Sequence, residues 1–326
     1  MKALALVLCA ACAVPPSVAQ QPKYKNLQVF PADVSEAELD EAMLENLRGL
    51  GLRRLAGEGC LYCHVGDLET PRSEWNYASD AKPAKQKARV MMRMVRAINE
   101  EYLSKLSPRA APAFQVTCTT CHEGRLDPRP LPDVLWAVYE TDGIDGTTRR
   151  YQELRDGYFG AAAYDFRVHV LSGIATRMAD RGAIDDAIRL AEVNVEVYPQ
   201  EPAAKRAWVA LTLERTIDAD GVDAALSQLA RLEPTLAEGV VTPSLLDSLA
   251  WRLNRSERET QGHALIEANF SKFPGEYTPL ESLVFVRSNS GRKDEALALL
   301  EGWLDEHPDH ARARRVWINL TQTPTD

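Results

Sequence analysis

The sequence predicts an all-α protein in two parts: an N-terminal part with two short cysteine motifs and a C-terminal array of helix pairs. Three observations support this class. Apolar residues recur at helical spacing through most of the chain. The string Cys-x-x-Cys-His occurs twice, at 60–64 and 118–122, and four prolines divide the second half at nearly regular intervals. With 326 residues and 45 % hydrophobic side chains, each part has enough chain for its own core.

The chain begins with the features of an export signal. MKALALVLCAACAVPPSVAQ places one Lys before an apolar run and ends near the small residues Ser17, Val18 and Ala19. We therefore expect a signal peptide at 1–19 and a periplasmic location. The run is too short to span a bilayer, so we expect no transmembrane segment in the mature chain. Lipidation at Cys12 stays open as an alternative.

Two helices are predicted in the N-terminal part, one before each motif. Ser35 and Glu38 form a capping-box pattern, and apolar residues follow at helical spacing until Gly49. The stretch 84–106 has an apolar stripe on one side and arginines on the other. We expect the apolar stripe to pack inward and the cations to face solvent.

A proline-rich stretch, LDPRPLP at 126–132, marks the predicted domain boundary, giving domains at 20–130 and 131–326. Net charge changes at the same place. Residues 20–130 contain 16 Lys and Arg against 15 Asp and Glu, whereas 131–326 contain 21 against 32. The acidic second part argues against a nucleic-acid partner.

The C-terminal domain reads as tetratricopeptide-like helix pairs. Prolines that could close the second helix of a pair fall at Pro199, Pro234, Pro274 and Pro308, close to the 34-residue period of such repeats. The clearest unit is GRKDEALALLEGWLDEHP at 291–308. An unrelated helical bundle is the alternative. The segment ETDGIDGT at 140–147 predicts a turn.

Each cysteine motif has the chemistry of covalent haem attachment. Two thiols one helical turn apart can reach the two vinyl groups of haem, and the adjacent His can bind the iron. Once the signal is removed, every remaining Cys lies in a motif. The predicted haem-binding residues are Cys60, Cys63 and His64 for the first haem, and Cys118, Cys121 and His122 for the second. A four-cysteine zinc site, a redox-active pair and plain disulfides are the alternatives.

Methionine is the best-placed residue type for the second axial position of each iron. Met43 lies on the helix before the first motif, and Met91, Met92 and Met94 lie on the helix before the second. A thioether ligand favours ferrous iron and raises the potential. A Met on an apolar helical stripe can equally be a core residue, and that alternative stays open here.

The strings GCLYCHV (59–65), NYASDAKPAKQKARVMMRMVRAINEEYL (76–103) and VTCTTCHEG (116–124) resemble the photosynthetic reaction-centre cytochrome c subunit family. The resemblance covers about 27–130 and only the two-haem half of the four-haem members. It implies that Met91 is the axial ligand of the second haem, with Met94 as the alternative, and that Met43 serves the first. A His that ligates another haem in four-haem members is replaced here by Lys105.

The predicted function is that of an exported dihaem c-type cytochrome that transfers electrons in the periplasm and has no catalytic residues. Its partner would be a redox protein or a membrane complex, bound through the repeat domain or through the basic helix 82–96. Two alternatives remain: a dihaem peroxidase with one open iron, and an assembly or scaffold protein in which the repeat domain is primary.

Overall fold

The computed structural model describes residues 24–54, 58–107 and 113–322, together with the backbone but not the side chain of Arg54. The predicted signal peptide and Cys12 lie outside these residues. The chain forms two compact units, Met1–Pro128 and Arg129–Asp326. All regular elements of the described residues are helical, and one isolated antiparallel bridge joins Val65 and Asn76. None of the described helices is both long and apolar enough to cross a membrane.

The N-terminal unit has two longer helices, and its second cysteine motif forms a short third one. These are α1 (Glu36–Gly49), α2 (Pro83–Ala97) and α3 (Cys118–His122). The predicted capping box at the start of α1 is confirmed, because Ser35 accepts from the Glu38 amide and the Glu38 carboxylate accepts from the Ser35 amide. Short helical turns connect the rest: Leu52–Arg54, Glu58–Tyr62, Arg72–Glu74 and Leu103–Lys105 in 3₁₀ form, and Ile98–Tyr102 in π form.

Helix α2 buries two of its cations, contrary to the solvent-facing cations expected from the sequence, while Lys87, Arg93 and Arg96 stay exposed. Lys85 and Arg89 are only 8 % and 7 % exposed, whereas Met91 and Met94 are each 46 % exposed. The helix also ends earlier than predicted, at Ala97, and continues as the π turn. An amphipathic pattern fixes which residues share a face, but the partner surfaces decide which face is buried.

The buried cations of α2 bind backbone carbonyls of two neighbouring segments. The Lys85 ammonium donates to the Tyr77 and Ser79 carbonyls, both at 2.7 Å. The Arg89 guanidinium donates to the Asn26 carbonyl at 3.0 Å and to the Asp80 carboxylate at 2.7 Å. Two cations of the basic helix 82–96 therefore fasten chain segments together, whereas Lys87, Arg93 and Arg96 are exposed, and partner docking at this helix stays a prediction.

The Arg129–Asp326 unit is an array of helix pairs. Its helices are α4 (Leu131–Tyr158), α5 (Val168–Asp180), α6 (Ile184–Val197), α7 (Pro202–Asp220), α8 (Val222–Leu232), α9 (Pro243–Arg255), α10 (Glu259–Lys272), α11 (Tyr277–Asn289), α12 (Lys293–Glu306) and α13 (Ala311–Gln322). Consecutive helices pack as pairs, α5 with α6, α7 with α8, α9 with α10 and α11 with α12. The four prolines follow the second helix of each pair, as predicted.

Equivalent side chains recur in this array. Asn194 on α6 and Asn269 on α10 are fully buried, and each donates to the carbonyl 26 residues earlier, that of Val168 and that of Pro243. Both bonds tie the second helix of a pair to the start of the first. Within the predicted turn at 140–147, the helical conformation is interrupted at Gly143, where φ is +65°, so α4 consists of two helical stretches joined by a kink. All three hydrophobic clusters of the described residues lie in this unit.

Candidate functional site

The end of α1 lies directly against the second cysteine motif. The Gly49 carbonyl accepts a hydrogen bond from the Gly124 amide at 2.9 Å. A Cβ on Gly49 would stand 2.6 Å from the Cys118 Cβ, and one on Gly51 would stand 2.0 Å from the Gly124 oxygen. Gly51 also has φ of +70°, which side chains rarely adopt. The two glycines therefore allow α1 to approach the motif at backbone distance.

Asn46 on α1 connects the second motif to α2. Its Oδ1 accepts from the Cys118 thiol at 3.3 Å, and its Nδ2 donates to the Met92 sulfur at 3.8 Å. Glu45 accepts from the Thr119 hydroxyl at 3.1 Å. Sequence reasoning missed both Asn46 and the role of Met92, because a polar residue on a helix carries no signal of a contact 72 residues away.

His122 is oriented by a backbone carbonyl. Its Nδ1 lies 2.9 Å from the Arg125 oxygen, and because a carbonyl can only accept, Nδ1 carries the proton. Nε2 is left with a lone pair for a metal, an arrangement common among metal-binding histidines. The buried Arg125 side chain holds this turn in place by donating to the His122 carbonyl at 3.1 Å and to the Glu123 carboxylate at 2.8 Å.

His64 in the first motif differs from His122 in the contacts of its ring. Its Nδ1 is buried and has no hydrogen-bond partner, and its ring meets the Tyr77 ring edge-on with centroids 5.0 Å apart. Burial lowers the pKa of His64, and the positive charge of Lys85 lowers it further. The imidazole is therefore neutral at physiological pH, which is the form that binds a metal.

The four motif cysteines differ in how deeply they are buried. All four are free in the structure. Burial raises the pKa of Cys63 against the opposing effect of Lys82, and burial followed by the Glu45 charge raises the pKa of Cys118. Within 24–54, 58–107 and 113–322, no three His, Cys, Asp or Glu side chains converge on one metal position.

The predicted axial methionines lie on two helices around the motifs. Met43 is half-buried on α1, and Met91 and Met94 are exposed on the apolar side of α2. Met92 is the methionine whose contacts reach towards the second motif, through Asn46. The side chains of Met91 and Met94 are thus accessible to solvent, whereas the Met92 sulfur accepts a hydrogen bond from Asn46.

The described part of the N-terminal unit keeps many apolar side chains at its surface. Its buried apolar residues are Val29, Val34, Leu52 and Trp75. Its exposed large apolar residues are Leu44, Tyr62, Leu68, Tyr77, Val90, Met91, Met94, Tyr102, Leu106, Phe114 and Leu126. Haem is a large, mostly apolar ring, and it would cover such side chains and supply the core that they do not build. The donor set and the apolar surroundings of both motifs therefore fit haem.

Comparison with known families shows which class of protein the N-terminal part of the chain resembles. Residues 9–164, slightly less than half of the chain, match the family model described as the photosynthetic reaction centre cytochrome C subunit. The match extends past residue 130, where we predict the resemblance to end. Members of the matched family are c-type cytochromes, which carry covalently bound haem.

One curated relative is cytochrome c-554 of Chloroflexus aurantiacus, 34 % identical over 108 residues. The match covers 32 % of this chain and 22 % of the relative, so the chain spans about a fifth of that protein.

Among solved structures, a thermophilic TPR protein of Thermus thermophilus matches at 13 % identity and a TM-score of 0.29, covering 59 % of this chain and 98 % of its own. MamA matches at 18 % identity and a TM-score of 0.27, covering 55 % and 98 %.

Proposed function

We propose that this protein is an exported, periplasmic dihaem cytochrome c that accepts and passes on single electrons and binds its redox partner through the helical-repeat unit. Haem supplies the redox chemistry when it is bound. The chain supplies covalent attachment, axial ligands and a surrounding that excludes water and fixes the two irons in one unit.

The residues divide between two sites. Cys60 and Cys63 hold the first haem by thioether bonds, and His64 is its proximal ligand. Cys118, Cys121 and His122 do the same for the second haem.

Methionines complete both sites. Met91 is the sixth ligand of the second haem, with Met94 as the alternative, and Met43 is the sixth ligand of the first. If both axial positions were taken by these protein ligands, neither iron would have an open position for a substrate, which favours electron transfer over the peroxidase alternative.

The observation that carries this proposal is the orientation of α2. A helix that buries Lys85 and Arg89 while exposing Val90, Met91 and Met94 presents apolar side chains that a bound apolar group would remove from water. The exposed side carries the methionines, and the unit contains both cysteine motifs. The combination suits a helix that faces haem.

The repeat unit provides the second part of the proposal. Stacked helix pairs form an extended surface that can hold a partner protein while the cytochrome unit exchanges electrons with it. The excess of acidic residues after residue 130 favours a partner with basic character. The partner would be a soluble redox protein or a membrane complex.

The test is the intact mass of the denatured full-length chain after maturation in a periplasm that attaches haem, measured with the reduced absorption spectrum. The expected mass is that of the chain without 1–19 plus two haems, with sharp low-spin bands. A chain with Cys118→Ala and Cys121→Ala should carry one haem and supplies the reference for the first site. A mass without haem, or zinc in its place, would overturn the proposal.

A further inference from the structure

The chain that enters the second motif is fastened to the end of α2 by one side chain. Asn99 Nδ2 donates to the Val116 carbonyl, and Asn99 Oδ1 accepts from the Val116 amide, both at 2.8 Å. The amide side chain thus pairs with both backbone groups of one residue, as a neighbouring strand would. Among the amino acids only Asn and Gln offer a donor and an acceptor in one planar amide group.

The position of Asn99 explains why its side chain can reach the Val116 backbone. It belongs to the π-helical turn Ile98–Tyr102, which follows α2 directly and shifts the register of the helix by one residue. π turns of this kind occur frequently at functional sites. The turn places Asn99 half-buried beside the extended residues that lead to α3.

The two Asn99 hydrogen bonds hold the residue that directly precedes the cap of α3. Val116 precedes Thr117, which caps α3 reciprocally with Thr120, and Cys118 is the first residue of that helix. Asn99 therefore sets how the helix that carries Cys118, Cys121 and His122 stands relative to the helix that carries the methionines.

We propose that Asn99 is a positioning residue for the second haem site, holding the axial Met of α2 and His122 at the separation that one iron requires. The inference rests on the proposed function. Axial ligation tolerates errors of only a few tenths of an ångström, so a support that fixes two separate elements acts on the iron without touching it. The Asn99 hydrogen bonds join the end of α2 to Val116 and include no residue of the first motif.

The experiment uses the mature full-length protein with the variants Asn99→Ala and Asn99→Asp. Asparagine and aspartate have the same shape, but a carboxylate cannot donate to the Val116 carbonyl. Asn76→Asp is the matched control, because Asn76 Oδ1 accepts only from the nearby Ser79 amide, at 3.0 Å, and a carboxylate can still do so. The measurements are the long-wavelength absorption band of Met sulfur bound to ferric iron and a redox titration of both haems.

Both Asn99 variants should weaken the Met band of the second haem and change its equilibrium constant for reduction at least tenfold, which is about 59 mV for one electron. The first haem and Asn76→Asp should match the unaltered protein. Loss of the second haem alone in the Asn99 variants would also support the inference.

An unchanged second haem in both Asn99 variants, or equal changes in both haems, would overturn the inference and leave the proposed function standing. Absence of haem from the unaltered protein would instead overturn the proposed function. The two failures are therefore distinguishable.

Discussion

The substitution Gly49→Ala tests the close approach of α1 to the second motif. In an ordinary helix, replacing Gly by Ala stabilises the fold by about 0.5–1 kcal/mol. At Gly49 the new Cβ would meet three atoms of the motif backbone and first side chain, at 2.6 Å, 2.9 Å and 3.0 Å. Because two of these atoms are backbone, the motif must move, and overpacking of this kind costs about 1–3 kcal/mol. The net expectation is a loss of about 1–2 kcal/mol.

The assay is thermal unfolding of the mature protein followed by visible absorption, which reports on the N-terminal unit. For a unit of this length, each kcal/mol of lost stability lowers Tm by roughly 4–8 °C. Gly302→Ala is the control, since Gly302 lies on α12 and a Cβ added there would have nothing within 4 Å. Followed by far-UV circular dichroism, that variant should be neutral or stabilising. A Gly49→Ala protein as stable as the parent would refute the packing argument.

Three further predictions follow from the charges and the proposed ligation. The Asn26 side chain, aided by Lys85, holds the pKa of the Asp80 carboxyl well below its usual range. The stabilisation that this carboxylate gives is therefore present above about pH 4 and disappears on further acidification. In Asp80→Asn, the free energy of unfolding of the N-terminal unit should fall less steeply as the pH is lowered below about 4. Glu214→Gln should lower the free energy of unfolding of the repeat unit by about 3 kcal/mol in urea, because the buried carboxylate pairs with Arg252 and Arg258 at 2.9 Å and 2.6 Å. An unchanged free energy of unfolding would show that the two arginines keep enough partners without Glu214. Cyanide and peroxide should leave the ferric spectrum unchanged if both irons have two protein ligands, and a shift to a new spectrum would favour the peroxidase alternative.

Local patterns were enough to predict most of the helices. The capping box at Ser35 and Glu38 uses contacts within one turn, so the sequence contains everything that forms it. The prolines after each helix pair act through a missing amide donor and a fixed φ, which are likewise properties of single residues. The family resemblance also comes from contiguous strings, and the family match confirms it.

The segment 140–147 is predicted as a turn from its glycines and acids, and the helical conformation is interrupted there at Gly143. The local pattern does not show that helix resumes immediately on both sides of this kink. That outcome depends on packing, because Ile144 and Thr147 are buried in the repeat unit.

By itself, the sequence determined the helices, the repeat period, the two Cys-x-x-Cys-His strings and the separation of charge along α2, because each depends on residues close together in the chain. Only the tertiary structure decided that α2 buries Lys85 and Arg89, that Asn46 joins Met92 to Cys118, and that Asn99 binds Val116. These contacts join residues 17 to 72 positions apart or depend on which surface a helix meets. The free energy of such contacts depends on distances and burial, which a string of residue types does not contain.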